Sequence, residues 1–150
     1  MYDRILYPTD GSEGAEAALD HAIDHAVRYD ASLHVLYVIE ETIPAMQAGA
    51  PDVLDALEER GEEVVEEARE RALEAGVSSV QASVATGSPY RQILHYVDEA
   101  GIDLIVMGTH GRRGIDRYLL GSVAEKVVRT AECPVLTARS LGDEEGEDGE

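Results

Sequence analysis

A glycine-rich segment at residues 108–122 contains the residues of this chain that are best suited to chemistry. Glycines let the main chain approach a ligand closely and turn its N–H groups toward it. If a helix begins at Gly121-Ser122, its first N–H groups are free donors beside a partial positive charge, which suits a phosphate group. Three arginines, opposed by one aspartate, add positive charge to the segment: Arg112, Arg113 and Arg117. The segment therefore favours an anionic ligand, although a plain turn with Ser122 as a helix cap explains its glycines equally well.

The spacing of these glycines differs from that of two widespread nucleotide-binding motifs. The chain contains no Gly-Lys-Ser or Gly-Lys-Thr triplet, so it has no Walker A loop. Its glycines follow the pattern G-x-x-G-x-x-G, whereas dinucleotide-binding loops require G-x-G-x-x-G. His110 lies within the segment, where it either contacts a bound phosphate or simply fills the turn.

A second polar turn, at residues 8–12, follows the first apolar run. Asp10 in this turn could accept a hydrogen bond from a ribose hydroxyl or help to hold a nucleotide-bound metal ion. An ordinary turn aspartate beside a helix start is the more common arrangement, and the sequence leaves both interpretations open. His21 and His25 have the spacing of a metal-binding pair, but the aspartates beside them indicate a solvated helix face instead.

These turns connect elements that alternate regularly along the chain. Mainly apolar runs predict strands at residues 4–7, 33–39, 104–107 and 134–138, and a run of alternating character predicts a strand at residues 80–85. Amphipathic runs predict helices at residues 12–28, 51–75, 89–100 and 121–128. Gly61 is expected to interrupt the second helix at a cost of up to about 1 kcal/mol. The alternation predicts an α/β fold with a single doubly wound parallel sheet and helices on both faces. Ligands of such sheets bind at the carboxyl ends of the strands, where both polar turns lie.

Acidic residues dominate the composition. The chain has 31 Asp and Glu against 12 Lys and Arg, which gives a formal net charge of −19. A surface of this sign repels nucleic acids and anionic membranes, so neither is an expected partner. Lys126 is the only lysine. Because the acids are spread over nearly every segment, we expect a halophilic archaeal origin, where salt screens their repulsion.

The organisation of the chain is predicted to be simple. Residues 1–140 are expected to form one nucleotide-binding domain, and the acidic residues 141–150 a disordered tail. No apolar run reaches the roughly 20 residues that a membrane helix needs, and the first residues lack the features of a signal peptide. We therefore expect a cytoplasmic protein. Cys133 is the single cysteine, and we expect it to be a buried structural thiol.

Several segments together resemble the universal stress protein family over residues 1–139. The resemblance is carried by residues 5–12, 87–89, 103–111, 121–123 and 133–136. The family's nucleotide signature, G-x2-G-x9-G-[S/T], is complete at Gly108, Gly111, Gly121 and Ser122. This signature is typical of the ATP-binding branch, because a second branch lacks these glycines and does not bind ATP.

The resemblance implies a five-stranded sheet of order 3-2-1-4-5 and a homodimer. Because this order leaves the apolar last strand at an edge of the sheet, we expect the dimer to form through this C-terminal edge strand. It also implies that adenine and ribose are framed by Pro8, Thr9, Asp10 and the main chain at Val38. The implied phosphate-binding residues are Gly108, Gly111, Arg112, Gly121, Ser122 and Val123.

The function predicted from these observations is binding of ATP, together with Mg²⁺, by a stress-response or signalling protein. At most slow hydrolysis is expected, because no residue beside Ser122 is placed to act as a base and no catalytic residue is predicted. Two alternatives stay open at this point. One is a protein-interaction module that binds no nucleotide, and the other is an enzyme, either a weak ATPase or a nucleotidyl transferase.

The charge leads to a first prediction, that folding depends on salt. At low ionic strength the repulsion among 31 carboxylates should weaken the compact state, and screening should restore it. Thermal melts from about 0.1 M to several molar KCl should therefore show a rising midpoint. A midpoint that stays flat or falls would contradict both the repulsion argument and the inferred high-salt origin.

Overall fold

The computed structural model describes residues 1–40, 51–110 and 121–139. Its strands are β1 Arg4–Thr9, β2 Ser32–Glu40, β3 Val80–Gly87, β4 Leu104–Gly108 and β5 Val135–Ala138. Its helices are α1 Glu13–Tyr29, α2 Pro51–Glu74, α3 Pro89–Ala100 and α4 Ser122–Thr130. All nine predicted elements are present, and most of their ends differ from prediction by one or two residues. In this described part no helix is both long and apolar enough to cross a bilayer.

The five strands form one parallel sheet in the order β3-β2-β1-β4-β5, which confirms the predicted fold class. β1 is central and pairs with β2 on one side and with β4 on the other. The winding direction therefore reverses between β1 and β4. As a result, the polar turns that follow these two strands lie side by side at one edge of the sheet.

Two apolar cores cover the two faces of the sheet, because alternate strand residues point in opposite directions. On one face Ile5 and Tyr7 pack with the buried residues of α1 and α2, and the alanine face of α1 lets that helix lie close. On the other face Leu6 packs with residues of α3 and α4, including Ile93 and Val127. Cys133 packs against this second core but is only half-buried, so its predicted full burial is wrong.

Gly61 does not interrupt α2, contrary to prediction. The helix runs unbroken through it, and Gly61 is buried against the sheet. A Cβ at this position would lie 2.9 Å from Cδ1 of Tyr37 and 3.2 Å from Cγ1 of Val84. Glycine is therefore used here because α2 lies too close to β2 and β3 for any side chain.

His34 is a buried polar residue that the sequence did not identify. It is 5% exposed, its Nδ1 lies 2.8 Å from the hydroxyl oxygen of Tyr96 in α3, and its Nε2 lies 3.3 Å from Oγ of Ser32. Burial, with a further contribution from the charge of Arg4, lowers the pKa of His34 below its ordinary value of 6.5. Burial thus disfavours the charged form of His34 in the folded protein.

The packing of Gly61 predicts that Gly61→Ala destabilises the fold although alanine is the better helix former. The gain in helix propensity, about 1 kcal/mol, is smaller than the cost of forcing a methyl group against the Tyr37 ring, which is typically about 1–3 kcal/mol. Chemical denaturation in high KCl should show a net loss of roughly 1 kcal/mol. The exposed Ala56→Gly in the same helix is the control for propensity alone, and a more stable Gly61→Ala protein would refute the close packing.

The burial of His34 predicts a loss of stability as the pH falls. Above pH 6.5 the residue is neutral in both the folded and the unfolded chain, so it contributes no pH dependence. Below that value the unfolded chain binds a proton that the folded chain does not, and the free energy of unfolding declines until the lower folded pKa is reached. His34→Asn, which keeps a polar atom near the Tyr96 hydroxyl, should flatten this part of the curve.

The comparison uses unfolding free energies of both proteins between about pH 7.5 and pH 5.5. The other four histidines are common to the two proteins, so the difference between the curves isolates His34. Two curves with the same slope would show that His34 takes up its proton equally well in the folded state.

Candidate functional site

The start of α1 and the segment after β4 lie in direct main-chain contact. A Cβ on Gly108 would lie 2.5 Å from the carbonyl oxygen of Gly14, and a Cβ on Gly14 would lie 2.5 Å from the carbonyl oxygen of His110. Neither position has room for a side chain. Gly108 therefore has a packing role that the sequence did not reveal, and this contact brings the two polar turns together.

The turn after β1 is held by its own side chains. Ser12 N–H donates to Oδ1 of Asp10 at 2.9 Å, and Gly11 N–H donates to Oγ1 of Thr9 at 3.0 Å. Ala15 N–H donates to Oγ of Ser12 at 3.2 Å, so Ser12 caps α1. Asp10 thus fulfils the ordinary turn role that the sequence left open. A ligand role for its carboxylate would be additional to this one.

Tyr7 fixes α1 to the end of β1 on the same face of the sheet. Its ring is 1% exposed and its hydroxyl donates to the carbonyl oxygen of Ala15 at 2.7 Å. Burial raises the pKa of Tyr7 well above its usual range. The Thr9 side chain is 7% exposed and lines, with Tyr7, a small cleft of about 30 Å³ between α1 and α2. This cleft has room for little more than a water molecule.

The other face of the sheet carries the start of α4. Thr109 connects it to the sheet, because its N–H donates to the carbonyl oxygen of Ala138 at 3.0 Å and its own carbonyl oxygen accepts from Gly121 N–H at 2.7 Å. Val38 in β2 packs against the core on this face. The end of β4, the end of β5 and the first turn of α4 therefore form one continuous surface.

No side chain of the described residues caps the first turn of α4. Gly121 occupies the N-cap position and offers no side-chain acceptor. The first intrahelical bond is donated by Glu125 N–H, to the carbonyl oxygen of Gly121 at 2.8 Å. The N–H groups of Ser122, Val123 and Ala124 consequently have no acceptor among the described residues. An anion placed before this helix would satisfy these donors and would be favoured by the helix dipole.

His110 lies next to this uncapped turn. Its Nδ1 lies 3.2 Å from Oγ1 of Thr109, which orients the ring. Its Nε2 is buried and has no hydrogen-bond partner within residues 1–40, 51–110 and 121–139. The sequence left the role of His110 open, and this unpaired atom is a new observation about it.

The structure thus brings most of the predicted site residues to one edge of the sheet. Pro8 and Thr9 end β1 and Asp10 follows it, Gly108 ends β4, and Gly121 precedes Ser122 and Val123 at the start of α4. The predicted residues Gly111 and Arg112 lie outside the described residues. Within the described ranges no cluster of three or more His, Cys, Asp or Glu side chains could hold a metal ion. His25 instead uses its Nδ1 on the carbonyl oxygen of His21, 2.8 Å away.

Comparison with known proteins identifies relatives along nearly the whole chain. Residues 1–139 match the model of the universal stress protein family. The chain is 36% identical over 143 residues to the universal stress protein MJ0531 of Methanocaldococcus jannaschii. This match covers 93% of this chain and 83% of that relative. It is similar to the solved structure of the universal stress protein UspA from Lactobacillus plantarum, with a TM-score of 0.84, 30% identity and coverage of 92% and 98% of the two chains.

A third solved structure is a universal stress protein in complex with cAMP. Its TM-score to this chain is 0.70 with 27% identity, and the match covers 93% of this chain and 98% of that one. The family match over residues 1–139 and the identity to a curated relative agree with the shared sheet order. The chain belongs to the universal stress protein family.

Proposed function

We propose that this protein binds an adenine nucleotide, ATP with Mg²⁺, at the carboxyl edge of its sheet and works as a stress-response or signalling protein in the cytoplasm. The observation that carries the proposal is the first turn of α4, which no side chain of the described residues caps and which is joined to the end of β4 by the bond from Gly121 N–H to the carbonyl oxygen of Thr109. Nucleotide occupancy would be the signal that its partners detect.

The contrast between two helices at the same edge supports this proposal. α1 begins with Ser12, whose hydroxyl satisfies one of the free N–H groups, whereas α4 begins with Gly121, which satisfies none. Serine, threonine, aspartate and asparagine are the preferred residues at N-cap positions, because their side chains accept hydrogen bonds from these N–H groups. A glycine there leaves the donors to a ligand, and a phosphate oxygen is the acceptor that best matches them in charge and size.

The relative solved in complex with cAMP supports an adenine nucleotide as the ligand. Because the two chains are similar over most of their length, the same carboxyl edge is the natural candidate for the ligand in this chain. The net charge of −19 makes an anion-binding surface exceptional in this chain. The predicted arginines of the glycine-rich segment, among them Arg112, would offset that charge locally, and the roles of Gly111 and Arg112 stay predictions.

The hydrogen bonds of the turn after β1 limit what its residues could contribute to a ligand. Thr9 directs its hydroxyl into its own turn, so its contribution to a ligand would come from the main chain. Asp10 and the neighbouring Pro8 would line the ribose and the base together with the main chain at Val38. Mg²⁺ would be held mainly by the nucleotide phosphates and water, as is common for this ion. Binding with at most slow hydrolysis is proposed because the sequence offers no base beside Ser122 that could activate a water molecule.

A homodimer through β5 is part of the same proposal. β5 is an edge strand of four residues, of which Val135 to Thr137 are half-buried and Ala138 is buried. Ile105 N–H donates to the carbonyl oxygen of Pro134, and Thr109 N–H donates to that of Ala138. Because alternate residues of a strand direct their main-chain groups to opposite sides, Val135 and Thr137 direct theirs to the open edge. Pairing of β5 with its copy would use those groups.

The uncapped helix predicts opposite effects of Gly121→Asp on binding and on stability. The new carboxylate should cap α4 and raise the free energy of unfolding by about 0.5 kcal/mol. It should also occupy the phosphate position and repel the ligand, so that affinity for ATP falls at least about 100-fold. Calorimetry in high KCl with Mg²⁺ measures the binding, and thermal melts measure the stability.

Gly121→Asn is the matched control, because asparagine caps the helix without adding a charge. It should raise stability similarly and weaken ATP binding less than Gly121→Asp does. Wild-type protein that is folded but gives no signal with ATP, ADP or AMP would leave the interaction module as the better description. A Gly121→Asp protein that binds ATP normally would move the phosphate site away from α4.

The turn after β1 gives a second binding prediction. Asp10→Asn keeps the acceptor for Ser12 N–H and removes only the negative charge, whereas Asp10→Ala also removes the turn bond. If the carboxylate binds the ribose, Asp10→Asn should lower ATP affinity by about tenfold, since a hydrogen bond to a charged group contributes about 1.5–3 kcal/mol. Equal binding by wild type and Asp10→Asn would limit Asp10 to its turn role.

The open edge of β5 predicts the effect of proline on dimerisation. Thr137→Pro removes an N–H group from the open edge and leaves the ladder to β4 intact, so it should yield a folded monomer. Leu136→Pro is the contrasting variant, because Leu136 directs its main chain toward β4 and proline there should disrupt the fold. Light scattering at high salt measures both, and a wild-type monomer or a Thr137→Pro dimer would exclude this interface.

A further inference from the structure

Two cationic side chains share the ring of Tyr90, in the first turn of α3. Lys126 of α4 places its Nζ 4.9 Å from the centre of this ring, and Cζ of Arg91 lies 5.7 Å from the same centre. Nε of Arg91 also donates to the Tyr90 hydroxyl at 3.3 Å. The ring packs against the core on this face of the sheet, while both cations are exposed. Tyr90, Arg91 and Lys126, here named the Tyr90 patch, therefore form a positive surface on a fixed aromatic base.

The cations of the Tyr90 patch differ from most other cations of the helices. Carboxylates are abundant in this chain, and four described arginines pair with one: Arg28 with Asp24, Arg69 with Glu66, Arg71 with Asp20 and Arg129 with Glu125. Arg91 and Lys126 have no carboxylate partner within residues 1–40, 51–110 and 121–139. Two like charges beside one ring repel each other, and an anion bound to both would relieve this repulsion.

The helices that carry the Tyr90 patch are also the less acidic layer of the protein. α1 and α2 together have ten more acidic than basic side chains, whereas the two kinds are equal in number on α3 and α4. An acidic segment is therefore repelled from the face that carries α1 and α2, and it meets no net charge on the helices of the other face. The Tyr90 patch adds a local attraction for carboxylates to that second face.

The acidic residues 141–150 follow the sheet at a point close to this patch. They contain six carboxylates and no cation. β5 ends at Ala138, whose carbonyl oxygen accepts from Thr109 N–H at 3.0 Å, and the carbonyl oxygen of Thr109 accepts from Gly121 N–H at 2.7 Å. Lys126 lies only about 6 Å along α4 from its first residue. At about 3.3 Å for each extended residue, even half of the acidic segment is long enough to reach the patch.

We propose that the acidic segment of residues 141–150 docks on the Tyr90 patch of its own chain. Its carboxylates bond to Lys126 and Arg91 above the Tyr90 ring. Attachment to the same edge of the sheet gives the segment an effective concentration of about 1 mM at the patch, which favours it over a separate acidic partner. The contact does not depend on a bound nucleotide, so the proposal goes beyond the proposed function.

Lys126 makes this contact directly measurable, because it is the only lysine of the chain. A water-soluble carbodiimide joins an amine to a carboxylate that touches it, with loss of water. Every such link within this chain therefore involves Lys126 or the N-terminal amine. The reaction uses the full chain without nucleotide, at the lowest KCl concentration at which circular dichroism shows native structure. Peptide mass spectrometry should find Lys126 joined to carboxylates of residues 141–150, and mixed ¹⁴N and ¹⁵N protein should show that both ends belong to one chain.

Two variants with the same change of charge test the role of the patch. Arg91→Ser removes one of its cations and keeps the reactive amine, so the yield of the link should fall roughly threefold, as expected for the loss of one exposed ion pair. Arg28→Ser, which removes an exposed arginine from α1, is the matched control and should leave the yield unchanged. Raising KCl to several molar should lower the yield in all three proteins, because salt screens the attraction.

The proposal is wrong if Lys126 forms no link to residues 141–150 and is joined only to neighbouring acids such as Glu125 or Glu132. It is also wrong if the links to residues 141–150 form only between two copies, or if Arg91→Ser and wild type give equal yields. These outcomes are independent of the nucleotide site, since the reaction contains no nucleotide. A protein that binds no ATP would still be expected to form the link.

Discussion

The contact between Gly14 and the start of the glycine-rich segment is the constraint on which the rest of the site depends. Main-chain atoms of α1 and of the segment after β4 meet where not even a methyl group fits. Parallel strands only bring their carboxyl ends to the same edge of a sheet, and side chains would ordinarily separate the turns that follow. Glycine at both positions removes that separation, so the ends of β1 and β4 can act on one ligand.

Around this contact the structure assigns different tasks to two helix starts. Ser12, Asp10 and Thr9 satisfy the donors of the first turn of α1 within the protein, and Tyr7 ties the helix to the sheet. The first turn of α4 has no such side chains in the described part of the chain, and its donors stay open. The turn after β1, whose N–H donors are bonded within the protein, thus lies beside a helix start whose N–H donors have no acceptor among the described residues. The N–H groups that remain available to a ligand therefore lie on the side of the sheet that carries α4.

Much of this arrangement could be predicted from the sequence, because it depends on periodicity and on motif spacing. Apolar runs indicated all five strands, and the resemblance to the family supplied their order. Features that depend on distances between elements could not be predicted. A glycine in an amphipathic helix is a weak point by propensity, and only the nearby Tyr37 ring shows that Gly61 is required. His34 sits in an apolar strand without a local sign of its bond to Tyr96, 62 residues away.

The two main-chain hydrogen bonds of Thr109 also connect the proposed nucleotide site with the proposed dimer interface. Through one peptide unit on each side it holds both the end of the edge strand, at Ala138, and the start of α4, at Gly121. The proposed subunit contact and the proposed phosphate position are therefore both hydrogen-bonded to the same residue, Thr109. Thermodynamic linkage makes any coupling through this residue reciprocal. A nucleotide that tightens the association of two copies must itself be held more tightly by the pair than by the single chain, and protein concentration would then set the apparent affinity for the nucleotide.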